Sequence, residues 1–444
     1  MRSGRKSWGN PSLRSMVDAI VTEIELEDLP SVVNDALAGL PRGRVLVRPV
    51  ERRAKPFGAA RLLWCAVVHP PTARWIRTAD QLVELVDGLA GCRAIGFDTE
   101  ADSLHHYTEK VCLLQLTAFG GASWLVDPLA VRDLAPLAPV FADATVLKVV
   151  HGGDNDVRSM RRDFGFVFRT MFDTAIAARL LGDTEVGLQA LVRDQLGIEL
   201  SKGSQRDDWS KRPLTPRQEA YALGDVEHLM ALATGLTRRL AAAGRTEWAR
   251  EEFAALASLP AAEKRTGPDD FRRIKSSARL PRRQQAVLRE LYQWREARAA
   301  AADRPPFKIV GPEILLAMTE QIPATVDDVA RALASFPRQA GEIEAVFAAI
   351  TRALALPEHE LPSREPGERT QLSAAARHRS EALRTWRAEQ ATRSDLEPSI
   401  ILPQRVIDRL ALAGPQTVAE LAVVEGVRQW RVAEWGLVLL AACA

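Results

Sequence analysis

The segment Ala94-Ile95-Gly96-Phe97-Asp98-Thr99-Glu100 is an apolar run ending in two acids separated by one residue. Residues two apart on a β-strand project from the same face, so Asp98 and Glu100 stand side by side while Phe97 and Thr99 point the other way. Adjacent carboxylates repel and hold on to their protons, a penalty that a hard divalent cation reverses by taking both as oxygen ligands. Taken alone, the pattern equally describes a strand end carrying two ordinary acids on its wet face.

Working outward, the chain reads strand, turn, strand, turn, strand: Ala94 to Glu100, Val111 to Ala118 and Ser123 to Val126, with Gly120-Gly121 marking a reversal. Upstream lie a short strand at Trp75-Ile76 and a helix from Asp80 through Leu89 with Asp80 as N-cap. Downstream, Val146 to Val150 predicts a buried strand. It runs into His151-Gly152-Gly153-Asp154-Asn155-Asp156, and a helix capped by Asp154 follows through Phe164. Asp156 falls in the first helical turn, where helix capping alone would account for an acid. Phe172-Asp173-Thr174 opens a helix to Leu181 with Asp173 as cap, and Gly187 to Leu196 is another. Thr215-Pro216-Arg217-Gln218 is a capping box that launches a long helix to about Ala243. Tyr221 and Asp225 share one face of it, as a surface pair would too. A meander followed by alternating helices and strands predicts an α/β fold, a mixed sheet with helices on its faces.

In this order, Asp98-x-Glu100, Asp156 after a strand-His-Gly turn and Tyr221-x-x-x-Asp225 resemble the DEDD 3′–5′ exonuclease family in its tyrosine subclass. The resemblance extends over about residues 72 to 245 and includes Tyr107-x-x-x-Val111-Cys112-Leu113-Leu114-Gln115-Leu116, Val126-Asp127-Pro128, Phe172-Asp173-Thr174 and Asp208-Trp209-Ser210-Lys211-Arg212-Pro213-Leu214. These matches fit the ribonuclease D group and its exosome-associated relatives better than polymerase proofreading domains. Ala220 stands where the histidine subclass carries its base. The resemblance implies an RNase H-like domain in which Asp98, Glu100, Asp156 and Asp225 hold two divalent ions, Mg²⁺ or Mn²⁺, around a scissile phosphate. Tyr221 is then expected to position water and phosphate, since a phenol of pKa about 10 is a poor base at neutral pH. His151 matches a residue usual in the group; it is expected to support the turn that aims Asp156 and is also a candidate nucleic-acid contact. Lys202, Arg206 and Trp209, on the polar loop before the catalytic helix, are candidates for contacting a nucleic-acid backbone or stacking a base. His228 is expected on a helix surface, and His105 and His106 fall in a loop between two strands.

The rest of the chain frames that core. Its 444 residues suggest two to four domains, and a net charge of +2 announces no polyanion partner by itself. Cys65, Cys92, Cys112 and Cys443 include no Cys-x-x-Cys pair, which argues against structural zinc and a disulfide framework and suits a reducing cytoplasm. No apolar segment follows the basic Arg2, Arg5 and Lys6 as a secretory signal requires, and Leu62 to Val68 is too short to span a bilayer, so no membrane partner is expected.

From Arg272 to Arg304 basic residues dominate, Arg282 and Arg283 among them, as on a phosphate-binding surface or merely a solvated helix face. The carboxy-terminal half repeats itself at an offset of 92, so that Leu291, Trp294, Arg295, Asp303, Pro306, Ile309, Pro323, Thr325 and Val326 recur as Leu383, Trp386, Arg387, Asp395, Pro398, Ile401, Pro415, Thr417 and Val418. Each copy reads as a small helical unit and resembles the HRDC domain, the first copy more closely. The expected plan is an N-terminal extension (1–71), the exonuclease domain (72–250), a linker (251–275), a first HRDC domain (276–355), a linker (356–371) and a second HRDC-like domain (372–444). The implied activity is a monomeric, cytoplasmic 3′–5′ exoribonuclease that trims tRNA precursors and other small structured RNAs to 5′-mononucleotides. The alternatives are an exonuclease acting on DNA in repair, with single-stranded DNA as partner, and an inactive nucleic-acid-binding protein.

Overall fold

A computed structural model describes residues 22–25, 45–48, 74–118, 122–201, 203–262, 267, 269–336, 341–362 and 373–444. The expected N-terminal extension lies outside the described residues except for two short strands, Thr22–Glu25 (β1) and Val45–Arg48 (β2), which pair in parallel. The remaining described residues fall into two compact units. One joins the chain up to Glu100 with Val111–Ala262 and Ala374–Ala444, and the other joins Ala101–Lys110 with Glu263–Ser373.

The first unit is built on a six-stranded mixed sheet of β3 (Arg74–Ile76), β4 (Ala94–Ala101), β5 (Val111–Ala118), β6 (Ser123–Val126), β7 (Leu147–Val150) and β8 (Met171–Asp173), in the order β3-β6-β5-β4-β7-β8. β5 and β6 run antiparallel, and the pairs β3/β6, β4/β7 and β7/β8 run parallel. This is the predicted α/β arrangement. Strand alternation assigns the two faces. Ile95 and Phe97 enter a core with α1 (Ala79–Gly88), α2 (Ala138–Ala142) and α3 (Asp154–Phe164), where Phe97 meets Phe141 edge-on at 5.3 Å and stacks on Phe168 at 5.7 Å. Ala94 and Gly96 face the other layer, α4 (Thr174–Leu181), α5 (Leu188–Leu196), α6 (Pro216–Glu227), α7 (Leu229–Ala242) and α8 (Thr246–Ala257). A Cβ at Gly96 would stand 2.7 Å from Thr117 Cγ2 and 3.3 Å from Leu229 Cδ1, so α7 seats against bare backbone there.

Helix starts differ slightly from expectation. Thr78, not Asp80, caps α1 by accepting from Gln81 N, and Gly153 occupies the cap of α3 with Asp154 inside the first turn. The long helix predicted from Thr215 breaks at His228 (φ −100°, ψ −2°), and His228 is buried rather than on the surface. The capping box at Thr215 and Gln218 is formed as predicted.

The two helical repeats have different settings. In the second unit, α9 (Arg282–Ala301), α10 (Pro312–Glu320), α11 (Val326–Ala332) and α12 (Glu342–Ala355) enclose their own core, which also takes in Phe271, Ile274, Leu280 and Leu361. Both predicted linkers therefore contribute core residues to this unit, because each carries apolar side chains that close its ends. The second repeat, α13 (Ala374–Ser394), α14 (Pro398–Ile401), α15 (Gln404–Ala413), α16 (Val418–Val423) and α17 (Gln429–Cys443), shares one continuous core with α4, α7 and α8 of the first unit. Trp248 of α8 stacks on Trp430 at 4.2 Å, and Trp435 meets Trp248, Trp386 and Trp430 edge-on. Glu251 accepts the Gln429 and Trp430 amides, and Glu252 accepts from Arg428, Arg431 and the Trp430 indole. The first quarter of the region expected as the 251–275 linker is thus the buried end of α8, with Phe253 and Leu256 in the core.

Among the described residues, Cys92, Cys112 and Cys443 form no disulfide, and no helix is long and apolar enough to cross a membrane.

Candidate active site

The alternation that sends Phe97 into one core sends Asp98 and Glu100 to the opposite face, toward α6. There Asp225 completes a set of three carboxylates whose oxygens lie within 4.8 Å of one another. Asp156 adjoins this set from the first turn of α3, and its charge raises the pKa of Asp98, Glu100 and Asp225 alike. Thr99 binds it, with amide (3.0 Å) and hydroxyl both donating to Asp156 Oδ1. The residue between the two strand acids thereby fastens the helix acid to the same strand.

Electrostatics at this cluster run against ionisation. Asp98 and Glu100 keep part of their surface exposed yet are ringed by protein. Burial, then the charges of Asp156, Asp225 and Glu100, hold the Asp98 carboxyl well above the ordinary range. Burial and the charges of Asp225, Asp156 and Asp207 push Glu100 up to about 9. Asp156 is raised to about 6 by burial, against which the Thr99 hydrogen bonds act. Asp225 is raised to about 7 by burial, with the Tyr221 hydroxyl donating to it in partial compensation. Burial followed by the facing charges of Asp225, Glu100 and Asp98 pushes the Tyr221 phenol up as well, so it stays protonated at neutral pH. An oxygen-only donor set that disfavours its own charge suits a hard divalent cation, which relieves the repulsion and uses the same oxygens as ligands. The residues present therefore form an acidic cluster able to bind such a metal.

Neighbouring residues hold these groups in place. The His151 ring nitrogen Nδ1 is 2.8 Å from Thr174 Oγ1 at the start of α4, and burial lowers the His151 pKa. This ties the turn before Asp156 to the next element. Trp209, expected to stack a base, is instead fully buried, its ring 6.1 Å from that of Tyr221 and packed with Cys112, Leu113, Leu125 and Leu214. The reason is Arg212, which forks onto Asp127 (2.6 and 2.9 Å) and also donates to the carbonyls of Cys112 (2.6 Å) and Trp209 (2.8 Å). The loop is thereby drawn onto β5, and its tryptophan becomes the backing of the tyrosine.

Of the other candidates, Arg206 is exposed and Lys202 lies outside the described residues. Arg282 and Arg283 are engaged within their own domain rather than held out to a ligand. Arg282 donates to the carbonyls of Glu358, Leu361 and Pro362, and Arg283 to those of Leu354 and Leu356 and to the Glu358 carboxylate. Arg295 is buried beside Glu296 and Arg298 pairs with Glu342, which leaves Arg273, Lys275, Arg279 and Arg304 as exposed members of the basic run.

Comparison with known proteins places the chain in a family. Residues 73–241 match the family described as 3'-5' exonuclease, and residues 284–340 and 377–443 match the HRDC domain. Ribonuclease D of Pseudomonas paraeruginosa is 31% identical over 383 residues, covering 84% of this chain and 98% of that protein. The chain belongs to the ribonuclease D family. Ribonuclease D of Acidiphilium cryptum is 34% identical over 346 residues, 76% of this chain and 86% of its own. Escherichia coli RNase D, an exoribonuclease involved in structured RNA processing, shares the fold with a TM-score of 0.64 at 26% identity, over 83% of this chain and 98% of that one. As a ribonuclease D, the protein is a 3′–5′ exoribonuclease, a hydrolase acting on RNA.

Proposed function

We propose that Asp98, Glu100, Asp156 and Asp225 hold two divalent ions, Mg²⁺ or Mn²⁺, and that the site removes 5′-mononucleotides from the 3′ ends of tRNA precursors and other small structured RNAs. The observation that carries this reading is the convergence of Asp98, Glu100 and Asp225 within 4.8 Å, beside a fourth acid bound to the same strand. The chemistry that divalent ions supply at such a site is activation of water and neutralisation of charge on the departing 3′-oxygen. Tyr221, protonated and backed by Trp209, orients the attacking water and the phosphate and removes no proton. Thr99 keeps one oxygen of Asp156 occupied, so that carboxylate offers the other. The HRDC domains hold the folded part of the RNA, with Arg279 and Arg304 on the first copy, and Arg273 and Lys275 just before it, as phosphate contacts.

The test is degradation of a 3′-extended tRNA and of single-stranded DNA of the same 3′ sequence, with Mg²⁺, Mn²⁺ or chelator. Stepwise shortening of the RNA with release of 5′-mononucleotides, abolished by chelator, is expected. Loss of an outer-shell partner of a metal site costs roughly 10–100-fold, so Asp225→Asn, which removes a ligand, should lower turnover by more than about a hundredfold. Tyr221→Phe should slow turnover with metal affinity unchanged. Full activity of Asp225→Asn overturns the site, and equal loss of the DNA overturns the preference for RNA.

A further inference from the structure

Asp173 is a fully buried acid that contributes no ligand to the cluster described above. Its Oδ1 accepts the amides of Ala175 (2.8 Å) and Ile176 (3.0 Å), which caps α4. That much explains an acceptor at the position, but not a carboxylate. Serine, threonine or asparagine caps a helix with a single oxygen. The remaining bonds reach back along the chain, with Gly152 N donating to Oδ1 (3.1 Å) and Gly153 N to Oδ2 (2.8 Å). These two amides form the turn that leaves β7 and enters α3, whose third residue is Asp156. β7 and β8 pair with Val150 opposite Asp173, so the carboxylate sits directly beneath that turn. Four donated hydrogen bonds converge on its two oxygens, and they couple two helix starts through one side chain.

We propose that Asp173 is a positioning residue for the reaction: it fixes the Gly152-Gly153 turn and through it the direction in which Asp156 enters the metal site. The proposal rests on the reading of Asp156 as a metal ligand. Thr99 fixes the carboxylate of Asp156 from the strand side, and Asp173 fixes its backbone from the helix side.

Asp173→Asn spares the cap and the Gly152 bond and removes only the acceptor for Gly153 N. Its remaining oxygen still caps α4, while the amide nitrogen faces the Gly153 N–H, donor against donor. Asp173→Ser likewise keeps a cap and has no second oxygen for the turn. Mn²⁺ binding to each full-length variant is measured by calorimetry without RNA, alongside kcat, KM and thermal melting, with Asp156→Asn as a parallel arm. Both Asp173 variants are expected to fold and to bind Mn²⁺ about 10–100-fold more weakly, the range for lost outer-shell support. Their kcat should fall and partly recover at high Mn²⁺, while KM for RNA stays near the wild-type value. Wild-type Mn²⁺ affinity and kcat in both variants, with only the melting temperature lowered, overturns the proposal and leaves Asp173 a cap. Failure of both variants to fold overturns it too, since the residue then serves stability alone. Wild-type Mn²⁺ affinity in Asp156→Asn instead removes the reading of Asp156 on which the proposal depends.

Discussion

The two helical repeats start from the same sequence skeleton and are used in opposite ways. Leu291 and Leu383 are both fully buried, Thr325 and Thr417 both cap a helix, and Asp303 and Asp395 both take the left-handed conformation, with φ of 45° and 51°. In the first copy the Asp303 carboxylate faces outward and holds the loop after β4, accepting from the Tyr107 amide (3.1 Å) and contacting His106 Nδ1 (2.7 Å). In the second copy the same turn presses its backbone on the exonuclease fold. A Cβ on Gly182, at the end of α4, would stand 2.6 Å from the Asp395 carbonyl, and Gly182 is itself left-handed at φ 87°. The first copy encloses a core within its own unit, against which Tyr107 of the loop after β4 also packs, whereas the second merges with α4, α7 and α8 through four tryptophans and the Glu251–Glu252 pair. A duplicated scaffold is thus a separate module or an integral layer according to what a few surface positions carry. Aromatic rings and buried ion pairs integrate it, and an exposed polar clasp does not.

The largest effect that could break this contrast is on cooperativity. Leu383→Ala and Leu291→Ala remove equivalent, fully buried side chains, and each should cost about 2–5 kcal/mol. In calorimetry the former should lower the melting of the exonuclease fold itself, and the latter only a transition belonging to the first repeat. A single transition shifted equally by both would dissolve the distinction.

A smaller effect sharpens it through pH. Glu100, Asp156 and Asp225 are raised in the folded state to about 9, 6 and 7, above the ordinary carboxylate values of 4.5, 3.8 and 3.8. Groups raised in this way contribute stability that is fully present below the unfolded pKa and lost as pH rises through the folded one. Metal-free protein should therefore melt lower as pH increases from about 4 to about 9, in the transition that contains the site, and Mg²⁺ should flatten the profile. The first repeat's transition should stay comparatively level. A metal-free profile with no slope over this range would contradict the electrostatics described for the cluster.

The smallest effect concerns the clasp. Asp303→Gly keeps the left-handed turn and removes the carboxylate, so hydrogen exchange at the Tyr107 amide should accelerate with little change in melting. Asp395→Gly should leave that amide unchanged, and acceleration by both would mean that the two turns are not used differently.

Much of this was legible in the sequence because its signals are local. The spans of β5 and β6, the capping box at Thr215 and the one-turn spacing of Tyr221 and Asp225 depend on residues within a few positions of each other. The four acids are far apart, and their order became informative through resemblance to a family. The burial of Trp209 is not legible because an aromatic residue in a polar loop looks the same whether it waits for a base or is drawn inward by Arg212 and Asp127, which are 85 residues apart. The engagement of Arg282 and Arg283 is not legible for a similar reason, their carbonyl partners lying more than 70 residues downstream. The buried state of His228 followed from a helix break that neither glycine nor proline announces. An aspartate at matching positions of a repeat, each followed by a change of chain direction, is a local signal for the left-handed conformation that Asp303 and Asp395 adopt.

Gly96 lies one alternation before Asp98, where β4 meets Thr117 and Leu229 with no room for a methyl group. Leu229 opens the helix that directly continues from Tyr221 and Asp225, so the missing side chain acts as a gauge on the gap across which the carboxylates face one another. The seating of α7 on β4 therefore depends on an atom that is not there: a single carbon added at position 96 would have to displace Thr117 and Leu229.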